Sequence, residues 1–225
     1  MSNSDKLCNI KMKVSNEKLF HVFNSRFNYN MLALSTNGCL NIGSMIRSSN
    51  LTGVKRFFIF GKRNYDKRSA LGLYKYMKII RVSKDFPDGI DENENLELVQ
   101  MKTKTKLDSE DYEFDTELFI KIMNQHNMVP VFVEQCKDSV KLNQINWNAQ
   151  LYNIPHGKEI CFIMGNEHHG VPDNILNTKK LFEGSFSLEI PQTGVINSYN
   201  VSNCASIILN SIYNHSIKKI ADIYL

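Results

Sequence analysis

The chain has 225 residues, 42% of them hydrophobic, with 13 Phe, 9 Tyr and 9 Met, and a formal net charge of +4. That composition supports a sizeable core and excludes an intrinsically disordered chain. No apolar run reaches membrane-helix length, the first residues lack the apolar stretch and cleavage site of a secretory signal, and a mildly basic balance permits nucleic-acid binding without demanding it.

In chain order, residues 1–30 read as an N-terminal extension that docks by a helix, through Leu19, Phe20, Val22, Phe23 and Phe27. The main domain is then 31–225. Met31–Leu34 suits a first buried strand, and Leu40–Asn50 a helix with Ile42, Met45 and Ile46 on one face. Phe57–Phe60 and Met77–Val82 read as strands, with a helical turn at Ser69–Tyr74 between them. Residues 83–115 form a polar, acidic insertion that resembles a long surface excursion. Thr116–Asn127 is an amphipathic helix, Met128–Val133 a fourth strand, Glu159–Met164 the strongest strand, Pro172–Asn177 a short helix, Phe186–Ile190 a last strand, and Asn200–Ile217 the C-terminal helix. Strands alternating with helices predict an α/β fold, a mostly parallel sheet with helices on both faces.

Charge is unevenly spread. Lys55–Arg81 holds nine Lys or Arg against one acid, Asp66, whereas Val82–Glu117 holds four Lys against twelve acids. The first stretch is a candidate RNA-docking face, with Arg63 and Arg68 its test residues. The cysteines, Cys8, Cys39, Cys136, Cys161 and Cys204, are odd in number, widely spaced and lack a CxxC pair. That argues against a disulfide framework or zinc cluster and for a reducing, cytoplasmic-type compartment. His168 and His169 are adjacent but have no second cluster at ligand spacing, so no metal is expected.

Three motifs stand out. Asn37–Arg47 (NGCLNIGSMIR) opens a helix. Asn41 and Arg47, six apart, share a face only if Asn41 sits in the loop or at the N-cap, and Gly43 permits close backbone approach. Ile163–Pro172 (IMGNEHHGVP) ends the strongest strand in a loop where Gly165 and Gly170 bracket Glu167; ligands of open α/β sheets bind at such carboxyl ends. Leu188–Ser206 (LEIPQTGVINSYNVSNCAS) ends a strand at Pro191 and starts a helix that Asn200 or Ser202 can cap, leaving free N–H groups at its start.

Taken together, NIGSMIR, GNEHHG and IPQTGVINSYNVSNCA resemble, in order, the NxGxxxR, GxExxG and IPMxGxxxSLNVSxA elements of the SpoU branch of the SPOUT methyltransferases. The resemblance spans about Met31 to Asn210, with Gln192 where methionine is usual and Tyr199 where leucine is usual. It implies an S-adenosylmethionine-dependent RNA 2′-O-ribose methyltransferase with a C-terminal trefoil knot, typically a homodimer. Transfer RNA is the first substrate expected, ribosomal RNA the second, with no membrane or metal partner. It implies that Gly165, Asn166, Ile190, Gln192 and Val195 hold the adenosyl part, and that Ser198, Asn200 and Val201 flank the methionine end. It also implies that Arg47 meets the ribose hydroxyl, as base or as clamp, positioned with Asn41, Glu167, Ser198 and Asn200. In the dimer, Asn41 and Arg47 would serve the site beside the partner's cofactor. The alternatives are a fold that kept RNA binding and lost catalysis, or a SPOUT enzyme acting on a base. A nucleotide-dependent oxidoreductase is disfavoured because no GxGxxG follows the first strand.

Overall fold

Strands that are apolar on both faces are housed only in a sheet covered from two sides. The computed structural model describes residues 29–34, 38–61, 64–102, 114–167, 169–196 and 198–224. In chain order they form β1 (Tyr29–Leu34), α1 (Cys39–Leu51), β2 (Arg56–Phe60), β3 (Lys78–Ser83), β4 (Phe86–Asp91), α2 (Leu96–Lys102) and α3 (Thr116–Gln125). There follow β5 (Met128–Val133), β6 (Val140–Lys141), α4 (Trp147–Tyr152), β7 (Glu159–Met164), α5 (Asp173–Leu176), β8 (Phe186–Glu189) and α6 (Val201–Tyr224).

The eight strands lie in the order β4-β3-β2-β1-β7-β5-β8-β6. All neighbours run parallel except β3 and β4. β7, fully buried from Ile160 to Met164, takes the centre: Phe162 has Met31 of β1 on one side and Val131 of β5 on the other.

Because successive side chains point to opposite faces, these strands feed two cores. On one face Met31, Ala33, Phe57, Ile59, Phe162 and Met164 meet Ile42, Met45 and Ile46 of α1 and Val201, Ala205, Ile208, Leu209 and Ile212 of α6. On the other, Leu32, Leu34, Phe58, Phe60, Cys161 and Ile163 meet Leu118, Phe119, Ile122 and Met123 of α3 and Ile175 of α5. Burying each large apolar side chain contributes about 1.5–3 kcal/mol, so both helical layers are held firmly. α6 is pinned further: Trp147 Nε1 donates to Ser211 Oγ at 3.0 Å while its ring meets Phe162 edge-on. Asp115 caps α3 by accepting from the Leu118 N–H at 3.0 Å.

The α/β architecture with helices on both faces is as expected, and the six expected strands are present. Two differences concern the charged segments. The expected surface excursion is partly built into the sheet, since β4 adds antiparallel to the β3 edge and Glu92 just beyond it is buried. Its sequence, FPDGID, carries no apolar alternation, so edge pairing left no pattern to read. Residues 103–113 of that segment, the expected docking helix before Asn30 as far as residue 28, and Arg63 lie outside the described residues.

The basic stretch, too, is not one exposed face. Arg81 is fully buried and donates to Glu92 and, at 2.8 Å, to the Gly61 carbonyl. Lys55 and Arg56 are tied to Glu159. Buried guanidinium and carboxylate persist only as partners, and here that pairing anchors β4 to the end of β2. Lys75 and Lys78 remain exposed, and exposed Arg68 is bonded to Asp66.

Candidate active site

The carboxyl ends of β5, β7 and β8 open into a cleft of about 390 Å³ lined by residues of three loops. The strands terminate in register: Val133 lies opposite both Met164 and Leu188, and all three reach the cleft. Parallel strands point their last carbonyls and following loops to one end of the sheet, which is why sites collect there.

After β7 the chain closes a tight loop. The Asn166 N–H donates to the Gly170 carbonyl at 2.8 Å and the Gly170 N–H returns to the Asn166 carbonyl at 2.9 Å. Glu167 is carried on the tip. After β8 the chain runs through the 190–200 loop to Asn200, which caps α6: its Oδ1 accepts from the Ser202 N–H at 2.9 Å and from Ser202 Oγ at 2.6 Å. α1 begins at Gly38, so Asn41 falls in its first turn rather than at the cap.

One side chain joins the three motifs. Asn41 Nδ2 donates to Glu167 Oε1, and Asn41 Oδ1 accepts from Asn200 Nδ2 at 3.1 Å. An amide has both a donor and an acceptor end, so Asn41 bridges a carboxylate of one loop and an amide of another. Asn200 does the same once more, between Asn41 and the N-terminus of α6. The bond from Asn41 lies within one chain.

Arg47 is placed differently. With Asn41 inside the helix, six residues put their side chains about 120° apart around α1. Arg47 is exposed and makes no hydrogen bond or ion pair with the described residues. Gly43, between them, packs on the turn after β2, where an added Cβ would stand 1.9 Å from Ser69 Oγ. Its small size serves helix packing.

Of the residues expected to hold a cofactor, Gly165, Asn166, Ile190, Ser198 and Val201 line the cleft, as does Glu167. Asn200 sits beside it through Asn41. Gln192 and Val195 are not among the lining residues; Val195 is fully exposed on the 190–200 loop. Glu134, Glu189, Tyr199 and Cys204 line the cleft without having been singled out in the sequence. Glu134 follows directly on the strand MVPVFV, so the carboxyl-end rule that selected Glu167 selects it as well. Tyr199, which stands where leucine is usual, brings a hydroxyl to the cleft wall.

The lining is electrostatically one-sided: Glu134, Glu167 and Glu189 contribute carboxylates, and none of the lining residues is Lys, Arg or His. Burial pushes the Cys204 thiol up to about 11, so it stays protonated at neutral pH. Cys39, Cys136, Cys161 and Cys204 are free thiols. Among the described residues there is no group of three His, Cys, Asp or Glu that could hold a metal, and no helix is long and apolar enough to cross a membrane.

Residues 114–210 match the model of the SpoU rRNA Methylase family. Comparison with curated proteins gives no match. Among solved structures, the chain is similar to a TrmH/SpoU tRNA modifying enzyme from A. aeolicus, with 17% identity, 92% of this chain and 86% of that one covered, and a TM-score of 0.60. It is also similar to the SpoU methyltransferase AviRb from Streptomyces viridochromogenes in complex with AdoMet, with 18% identity, 85% and 58% covered, and a TM-score of 0.53. A third similar structure is an RNA 2′-O ribose methyltransferase, with 16% identity, 85% and 57% covered, and a TM-score of 0.53. The chain thus spans most of the first and under three-fifths of the other two. Residues 114–210 are similar to the SpoU rRNA Methylase family model, and the chain shares the α/β fold of the TrmH/SpoU structure.

Proposed function

We propose that the protein is an RNA 2′-O-ribose methyltransferase that takes its methyl group from S-adenosylmethionine. The observation that carries this reading is the Asn41 bridge, because it draws the three motif loops to one cleft at the carboxyl end of the sheet. The cleft suits the cofactor. About 390 Å³ lies in the range of small-molecule pockets, and a carboxylate-rich lining complements a ligand with sulfonium and ammonium charges. Gly165, Asn166 and Ile190 would hold the adenosyl part, and Ser198 and Val201 the methionine end. Gln192 and Val195 would join only if the 190–200 loop folded inward.

Bound there, the cofactor supplies an electrophilic methyl group. The chain must supply alignment and assistance to a hydroxyl that is a poor nucleophile until its proton is leaving. A guanidinium has five donors and no acceptor, so Arg47 acts as a clamp on phosphate and ribose. Asn41, Glu167, Ser198 and Asn200 form the polar frame against which the ribose is oriented. Arg47 points away from its own chain's frame, which favours a homodimer in which it serves the partner's cleft. Exposed Leu40 and Leu51 on α1 and Ile207 on α6 offer apolar surface for that contact. The carboxyl terminus would be knotted, with the 190–200 loop and α6 as the threaded segment, and a reducing compartment would keep the thiols free. Exposed Lys75 and Lys78 stand at the amino end of β3, the opposite end of the sheet from the cleft, and would meet only RNA that extends past it.

The test is incubation with labelled methyl donor and RNA, transfer RNA first and ribosomal RNA second, followed by nuclease digestion and mass spectrometry. A 2′-O-methyl nucleoside is expected. A methylated base would move the protein to another SPOUT activity, and donor binding without any transfer would leave an RNA-binding protein that has lost catalysis.

A further inference from the structure

We infer that Glu134 is a positioning residue that locks the 165–171 loop, and that position 170 is glycine in order to admit its carboxylate. The geometry of the lock is independent of the proposed activity; only its effect on cofactor affinity rests on that reading.

Glu134 is fixed before its side chain is considered. Its N–H donates to the Leu188 carbonyl at 3.1 Å, and its carbonyl accepts from Ser139 Oγ at 2.9 Å. From that anchored backbone at the end of β5, the side chain crosses to the loop after β7. Oε2 accepts from the Val171 N–H at 2.7 Å and Oε1 from the Gln135 N–H at 2.9 Å. An ionised carboxylate is acceptor-only, and two backbone donors suit both of its oxygens. Such charge-assisted bonds are stronger than neutral ones.

Gly170 is the other half of the contact. A Cβ built there would lie 2.2 Å from Glu134 Oε2 and 3.0 Å from its Cδ, and the residue has φ +63°. A side chain at 170 would therefore evict the carboxylate from the Val171 amide as well as strain the backbone. The rest of the loop closure is the Asn166–Gly170 pair, one residue before the locked amide. Glu167 lies between those two residues and reaches Asn41, so whatever fixes the base of the loop fixes where that carboxylate stands. Glu134 also lines the cleft itself, beside Gly165 and Gly170. A bond to one wall of the cleft thus sets the position of the opposite motif.

The test uses Glu134→Gln, Glu134→Ala, Gly170→Ala and the double variant, on the full chain. Hydrogen exchange at the Val171 amide reads the lock directly, with the β7 amides as the internal control for folding. Glu134→Gln keeps one acceptor and should speed Val171 exchange about tenfold while β7 stays protected. S-adenosylmethionine Kd by calorimetry should rise about tenfold, with KM for the donor following it and kcat at saturating donor within about threefold. Gly170→Ala should cost less affinity alongside Glu134→Ala than alone, because the clash it makes has been removed and only the backbone strain remains. Unaltered Val171 exchange in Glu134→Gln, or strictly additive effects in the double variant, would overturn the lock. Unmodified protein that binds no S-adenosylmethionine would defeat the methyltransferase reading, and Val171 exchange would still decide the role of Glu134.

Discussion

The two ends of the sheet handle polar groups in opposite ways. At the amino ends of β1, β2 and β7, Glu159 accepts from Asn30, Lys55 and Arg56, while Arg56 also donates to Asn30 Oδ1 at 3.0 Å and pairs with His126 Nδ1 at 3.2 Å. Charge meets opposite charge inside the chain. At the carboxyl ends of β5, β7 and β8, three carboxylates line a cleft without a basic residue among its walls, and Arg47 stands exposed on α1. A cluster in which each charge has an opposite partner inside the chain holds the fold; a cluster of like charges beside a cavity is suited to a ligand. The sequence alone weights both clusters alike.

Four changes would break or sharpen that contrast. The largest effect is expected from Arg47→Ala: methyl transfer should fall about a thousandfold, as when a transition-state donor is lost, while S-adenosylmethionine affinity is unchanged by calorimetry. Undiminished transfer would remove Arg47 from the site. Next is Asn41→Ala, which cuts Glu167 from Asn200. Transfer should drop roughly ten- to a hundredfold with little change in unfolding temperature, and combining it with Glu167→Gln should add little further, because the two share one interaction. At the opposite end the pattern should invert. Glu159→Gln should lower stability by about 2 kcal/mol in denaturant unfolding, with transfer by the folded protein untouched; a matching loss of catalysis would mean that the two ends are coupled.

The smallest effect concerns pH. Burial, with Arg56 and Lys78 beside it, pulls the His126 imidazole down to about 4 from 6.5. Because the unfolded chain then binds the proton more readily, this contribution is complete above pH 6.5 and is lost as pH falls toward 4. His126→Phe should flatten the stability profile in that window, by on the order of 1 kcal/mol once solvent screening of the half-buried ring is allowed for. Glu159 adds a separate acid loss lower down. Burial opposes its charge, but hydrogen bonds from Asn30 and Lys55 and the charges of Arg56 and Lys55 outweigh that and hold its carboxyl below the usual range. A profile still steep between pH 6.5 and 4 in His126→Phe would assign the loss to other groups.

Much of the fold was legible because its strands are buried on both faces: FFIF, MVPVFV and EICFIM leave no polar alternation to confuse them. The edge was not. β4 and the two-residue β6 are held by neighbours rather than by pattern, and α4 rests on one buried Trp147. In the site, Asn41, Glu167 and Asn200 were legible as motif positions, but their joining into one bridge depends on loops far apart in sequence. The expectation that Asn41 and Arg47 share a face required Asn41 at the helix cap; one turn of extra helix separates them. Glu134 has the strand-end position of Glu167 but not its bracketing glycines, and its partner, the Val171 N–H, is 37 residues away.

The central place of β7 has a consequence for how the chain is made. β1, β2, β3 and β5 all emerge from the ribosome before residues 159–164, yet β1 and β5 touch only through β7. Until that strand arrives, the nascent chain presents two apolar sheet edges with nothing to pair them, a state prone to self-association. Translation pausing or truncation between residues 134 and 158 should therefore yield insoluble product far more readily than interruption within α6.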